Sequence, residues 1–264
     1  MKKEGRGFYM IKVGYCAGHG YNTPGKRTPD GEREWTFNDI VARAFANELA
    51  KYEGVTSKRF DDPTGKRDVP LQERTNNANR WGAQYYISFH HNALGAKWGN
   101  HTGVETFVYI GNKNTVSGKL AAAIHPALVK AYGLKDRGIK EGNLHIVRET
   151  KMPAILVEGG FMDSTIDILK LRNKNVLENA GRLMAEAFAI YLKLKKSSIP
   201  VEKEEESNVF LNETGREEIR SLLKKARGEG IINSKVHTDA AIAKYNDIQL
   251  LSYQAAVINR TFNK

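Results

Sequence analysis

The chain of 264 residues has a single cysteine, Cys16, which rules out an internal disulfide framework and argues against a cysteine-rich metal site. Any metal would have to be held by histidines and carboxylates. No apolar run approaches the roughly 18 residues of a membrane-crossing helix. The opening MKKEGRGFYMIKVGY has no apolar stretch long enough for an export signal, so synthesis in the cytoplasm without a signal peptide is expected. Acidic residues are scarce beside basic ones, 30 against 41, and the net charge of +11 calls for an anionic partner. Nucleic acid, an acidic membrane surface and an anionic wall polymer all qualify, and charge alone does not choose among them. With 41% hydrophobic and 27% charged residues, the composition is that of an ordinary globular protein with a sizeable core in one or two domains.

The charge is unevenly distributed. Residues 1–196 carry 31 Lys and Arg against 20 Asp and Glu, which is the whole excess. Residues 197–208, SSIPVEKEEESN, are acidic and lack an apolar period, as a linker does. Residues 209–264, with 9 basic and 6 acidic residues, form a separate small unit. In the first part, FYMIKVGY, QYYISF, VETFVYI and PAILVEGGF have the character of strands. FNDIVARAFANELAKY, KLAAAIHPALVKAYGL and NAGRLMAEAFAIYLKLKK have helical spacing. Strands alternating with helices predict a layered α/β domain with ligands gathered at the strand ends. The tail has a capping-box pattern from Thr214 to Glu217 ahead of a helical stripe, then helical segments around DAAIAKYN and DIQLLSYQAAVINRTF, so a small helical domain is expected there.

YYISFHHNA, residues 85–93, ends a buried strand in two adjacent histidines, and alternation prevents both from pointing the same way. Alone, such a histidine caps the strand or is solvated. His19 sits between glycines where MIKVGY runs into CAGHGYNTPG, which alone is an ordinary turn. Glu34 heads a predicted amphipathic helix four residues before Asn38, where a carboxylate usually complements the helix dipole. Together, His19, Glu34 and His90 offer two imidazoles and one carboxylate, a three-ligand catalytic zinc set with the fourth position open to water.

The blocks AGHG (17–20), EWTFN (34–38), ISFHHNA (87–93) and PAILVEGGF (153–161), in this order, resemble the zinc-dependent N-acetylmuramoyl-L-alanine amidases of sporulating bacteria and their phages. The resemblance covers roughly residues 10–193 and implies an α/β fold with a mixed twisted sheet and helices on both faces. It implies zinc on His19, Glu34 and His90, with His91 in a position the family usually fills with a small residue; by alternation His91 faces away from the metal as a bystander. It implies Glu158 as the acid/base that takes a proton from the attacking water and delivers it to the leaving nitrogen. The two glycines after Glu158 leave room for substrate. The segment from Arg67 to Asn79 resembles a family helix that packs and orients the sheet, so Arg67 and Arg74 are expected to be structural, with contact to an anionic substrate as the alternative. Glu141 and His145, in the loop and strand before the last block, are ordinary residues with an outside claim on the cleft, and His101, His125 and His237 are structural or solvated.

The function so implied is hydrolysis of the amide between N-acetylmuramic acid and the L-alanine of peptidoglycan. A zinc carboxypeptidase of similar architecture is the alternative enzyme, although no arginine cleft for a terminal carboxylate stands out. A basic binding protein is the non-enzyme rival, and it would need basic and aromatic residues clustered on one face, whereas here they are scattered. The tail resembles the wall-targeting segments of Bacillus phage endolysins. The expected partners are therefore peptidoglycan and a Gram-positive wall polymer rather than nucleic acid. The chain would be a monomer, or an oligomer through the tail helices. A phage endolysin made in the host cytoplasm and acting on the wall after release is expected, with a host autolysin or a prophage remnant left open.

Overall fold

The computed structural model describes residues 10–197, 213–232, 238–243, 250, 254 and 257. The chain divides into two compact units, one up to Ser198 and one from Ile199. The first contains β1 (Ile11–Ala17), α1 (Glu34–Leu49), β2 (Val55–Arg59), α2 (Leu71–Trp81), β3 (Tyr85–Asn92), β4 (Val104–Val108), α3 (Val116–Tyr132), β5 (Asp136–Glu141), α4 (His145–Glu149), β6 (Ala154–Phe161), α5 (Ile168–Leu171) and α6 (Lys174–Tyr191).

The six strands form one sheet in the order β2-β1-β3-β6-β4-β5. β2, β1, β3 and β6 run parallel, β4 is antiparallel to β6, and β5 is parallel to β4, so the sheet is mixed. The expected α/β fold is thus observed. Alternation along each strand assigns the two faces. Val13, Ile87, Phe89, Ile155 and Val157 meet α1, α3 and α6 in the larger core, whereas Cys16, Tyr86, Ala154 and Leu156 meet α2 and α4 in the smaller one.

β2 and β5 were not legible as strands because they lie at the two edges of the sheet. Each pairs on one side only, and DRGIKE has no fully buried residue to create an apolar run. Of residues 138–150, expected as the loop and strand leading toward Glu158, residues 138–141 belong to β5, and the rest runs through a loop into the short helix α4, which buries Ile146 and Val147.

In the second unit, α7 (Glu213–Gly228) already includes Thr214, which the capping pattern set just before the helix, and α8 spans Asp239–Ile242. Ile219, Leu223 and Ala226 line one face of α7 at helical spacing and are buried with Ile232, Ile242, Leu250 and Val257. The acidic segment beyond Ser197, His237 and most of the last helical stretch lie outside the described residues.

Candidate active site

The parallel strands β1 and β3 end side by side, and α1 starts above them. His19 follows β1 in a left-handed conformation, φ 64°, that is costly for a side chain with a Cβ. Arg74, 1% exposed, holds it there. Its guanidinium donates to the carbonyls of Ala17 (2.7 Å), His19 (3.1 Å) and Val69 (2.8 Å) and to Asp68 Oδ1 (2.9 Å). Glu34 is the first residue of α1, where its charge faces the positive end of the helix.

His19, Glu34 and His90 converge. His19 Nε2 lies 3.3 Å from Glu34 Oε2, and His90 Nδ1 lies 3.0 Å from Glu34 Oε1. One potential ligand atom from each of the three lies within 4.8 Å of the others. The imidazoles meet edge to face with centroids 4.9 Å apart. Gly18 makes this possible, because a Cβ there would lie 2.0 Å from His90 Cε1.

The charge states suit a metal. Burial lowers the His19 pKa to about 4, against the pull of Glu34, so its ring is neutral with a lone pair to give. Burial works against ionisation of Glu34, but the hydrogen bond from His90 and the charges of His90 and His19 bring its pKa down to about 2. Two imidazoles and a carboxylate around one point are a donor set that fits a divalent ion such as zinc.

Glu158 is the register partner of His90 on β6, so the two side chains share a face. Its Oε2 is buried without a hydrogen-bond partner. Burial, then the charges of Glu34 and Glu105, raise its pKa well above the ordinary carboxylate range. A carboxyl with a buried, unpartnered oxygen beside a metal-ligand set is placed for acid/base work.

Residues 13–189 match the N-acetylmuramoyl-L-alanine amidase family. The chain belongs to this family. It is 35% identical to a sporulation-specific N-acetylmuramoyl-L-alanine amidase of Bacillus subtilis over 72% of this chain and 71% of that protein. It is 32% identical to an endolysin of Bacillus phage SPP1 over 69% of this chain and 66% of that protein. Among solved structures, the catalytic domain of the amidase CwlV from Bacillus (Paenibacillus) polymyxa var. colistinus superposes with a TM-score of 0.63 at 27% identity, covering 70% of this chain and all of that domain. An amidase from Clostridium difficile 630 gives a TM-score of 0.64 at 28% identity, with 70% and 98% covered. The activity is that of a hydrolase cutting the peptidoglycan amide between N-acetylmuramic acid and L-alanine.

Other expected residues of the amidase fall away from the site. Glu141 accepts from the backbone N–H groups of Gly111 and Lys113 and holds a turn. His145 starts α4 and contacts Thr75 Oγ1 at 3.4 Å. Arg67 is paired with Glu73 at the surface, whereas Arg74 stays at the site, holding the His19 turn and lining the cleft beside His19 and His90. His101 donates to Asp163, and His125 bridges Thr106 and Asp136, so both have structural partners. The glycines after Glu158 do not open toward substrate. A Cβ on Gly159 would strike Tyr132 and His91 on the opposite face, and one on Gly160 would meet Leu134 and Leu171.

Sequence reasoning missed Glu105, which is buried on β4 beside Glu158. It accepts from Arg137 Nε at 2.7 Å, from Lys140 Nζ and from Asn92 Nδ2 at 2.7 Å. A carboxylate inside the apolar run VETFV was the available signal.

Proposed function

We propose that this amidase is a zinc enzyme and that it belongs to a wall-lysing protein of the endolysin kind. The observation that carries the reading is the convergence of His19, Glu34 and His90 with Glu158 in register beside His90. A zinc ion held by His19, Glu34 and His90 would supply a Lewis acid for the amide carbonyl and would acidify the attacking water. Glu158 accepts the proton of the attacking water and returns it to the leaving nitrogen of L-alanine. Its buried oxygen has no competing partner to satisfy before that transfer.

A cleft of about 290 Å³ beside His19 and His90 takes the scissile amide. A groove of about 690 Å³, lined by the loops that follow His19 and His90 and including Lys26 and Arg27, takes the extended polymer. Residues 209–264 serve as the wall-binding module, joined through the acidic segment 197–208. Likeness to the SPP1 endolysin supports the lytic role.

Digestion of purified Gram-positive peptidoglycan, with mass spectrometry of the new ends, tests the reading. Free muramic lactyl groups with new L-alanine amines, lost on chelation and restored by zinc, are expected. Released D-alanine or internal peptide cuts would assign a peptidase, and activity indifferent to chelation would remove zinc.

A further inference from the structure

His91 points to the face opposite His90, where it is 2% exposed between Phe37 of α1 and Tyr132 of α3. Both of its ring nitrogens are engaged. Nδ1 lies 2.7 Å from Asn38 Oδ1, and Nε2 lies 2.8 Å from the Tyr132 hydroxyl. Its backbone N–H also reaches Glu34 Oε1 at 3.3 Å.

The direction of these bonds follows from the groups present. The other end of the Asn38 amide faces the Gly18 carbonyl at 3.1 Å and Glu34 Oε1 at 3.2 Å, both of which can only accept. That end is therefore the NH₂, and Oδ1 accepts from His91. A neutral imidazole has one N–H, which must then sit on Nδ1, leaving Nε2 to accept from Tyr132. Donation runs one way, from Tyr132 to His91, to Asn38 and finally to Glu34 Oε1. The other carboxylate oxygen, Oε2, faces His19. The opposing strand is cut to fit, because a Cβ on Gly159 would lie 2.4 Å from the Tyr132 hydroxyl and 2.7 Å from His91 Nε2.

We infer that His91 is a positioning residue for the metal site: through Asn38 it fixes the rotation of the Glu34 carboxylate, so that Oε1 is held by the protein and Oε2 is turned toward His19. This rests on reading His19, Glu34 and His90 as metal ligands. Partners that orient a metal ligand from outside typically change metal affinity by about 10- to 100-fold when removed. Simple packing, by contrast, would ask only for the shape of the ring.

Zinc affinity of the full chain, measured by competition with a chromophoric chelator, separates the two. His91→Leu keeps much of the bulk without polar atoms and should weaken binding by about 10- to 100-fold. His91→Asn sets an amide nitrogen near the place of Nδ1 and should recover most of that loss. Phe188→Leu loosens the core at the far end of β3, against Tyr85, and should lower the Tm while leaving zinc affinity unchanged. Nitrogen-15 NMR of the unaltered protein should find His91 protonated on Nδ1 and bare on Nε2. Wild-type affinity in a folded His91→Leu chain, a His91→Asn chain no better than it, or a proton on Nε2 each overturns the inference. Should His91→Leu fail to fold, the tautomer and the His91→Asn affinity decide. Failure of the unaltered protein to take up zinc would instead overturn the metal reading of the site.

Discussion

His90 and Glu158 stand opposite each other on the parallel strands β3 and β6, on the face of the sheet that carries α2 and α4. One belongs to the proposed ligand set and the other has a buried, unpartnered oxygen. Glu158→Gln keeps the shape and removes the titrating group. Zinc content and Tm should hold while turnover falls by a factor on the order of 10² to 10⁴, the usual worth of a positioned acid/base. Steady-state rates on soluble muramyl peptides, beside metal analysis, check this; near-normal turnover in a zinc-loaded variant would move the role to another group.

Gly18 owes its place to space alone. Its missing Cβ leaves room for the His90 ring at 2.0 Å, and it does not occupy the left-handed region. Gly18→Ala should displace the ring and cut zinc affinity sharply with little change in overall helicity. Circular dichroism and chelator competition read the two effects separately.

Arg74 ties the strained His19 turn to α2 through four acceptors. Arg74→Lys retains the charge but not the fork. Leaving several buried carbonyls unpaired should cost about 1–3 kcal/mol for each acceptor that finds no substitute, and it should weaken zinc binding as His19 relaxes. Urea unfolding of the metal-free protein and zinc titration are the measurements; unchanged zinc affinity in a clearly destabilised variant would confine Arg74 to stability.

Glu105 sets an acid dependence. Burial favours its neutral form, but hydrogen bonds from Lys140 and Arg137, with their charges, lower its pKa below the ordinary value. A folded-state pKa depressed in this way contributes stability that is present above the unfolded value of about 4.3 and is lost as pH falls through the folded one. The stability gap between the native chain and Glu105→Gln should therefore be wide at neutral pH and close on acidification. Urea unfolding from neutral to acidic pH measures it, and a gap independent of pH would contradict the assignment.

Ending the chain after Ser198 keeps Lys196 paired with Glu48 and Ser197 bonded to Lys51. The shortened protein should fold and cleave soluble fragments. It should lose more activity on intact walls near physiological ionic strength, because tethering raises local concentration at an insoluble substrate. Equal lysis by both forms would argue against targeting by the tail.

Apolar periodicity and motif order were enough to read the central strands β1, β3 and β6, the helices α1, α3 and α6, and the four residues His19, Glu34, His90 and Glu158. Buried elements carry their burial in the sequence as continuous apolar runs or helical stripes, and alternation alone sent His90 and His91 to opposite faces. The edge strands β2 and β5 have no such signature, since they bury little and pair on one side. The partners of the site were equally hidden. Asn38, Tyr132 and Gly159 meet around His91 from three elements distant in the chain, and Arg137 and Lys140 reach Glu105 from a neighbouring strand. The sequence by itself singled out His19, Glu34, His90 and Glu158, which the fold brings together, and the alternation that separates His90 from His91. Only the tertiary structure decided how they are held, because a hydrogen bond between side chains 41 or 53 positions apart leaves no period in the sequence and exists only once the sheet and its helices have packed.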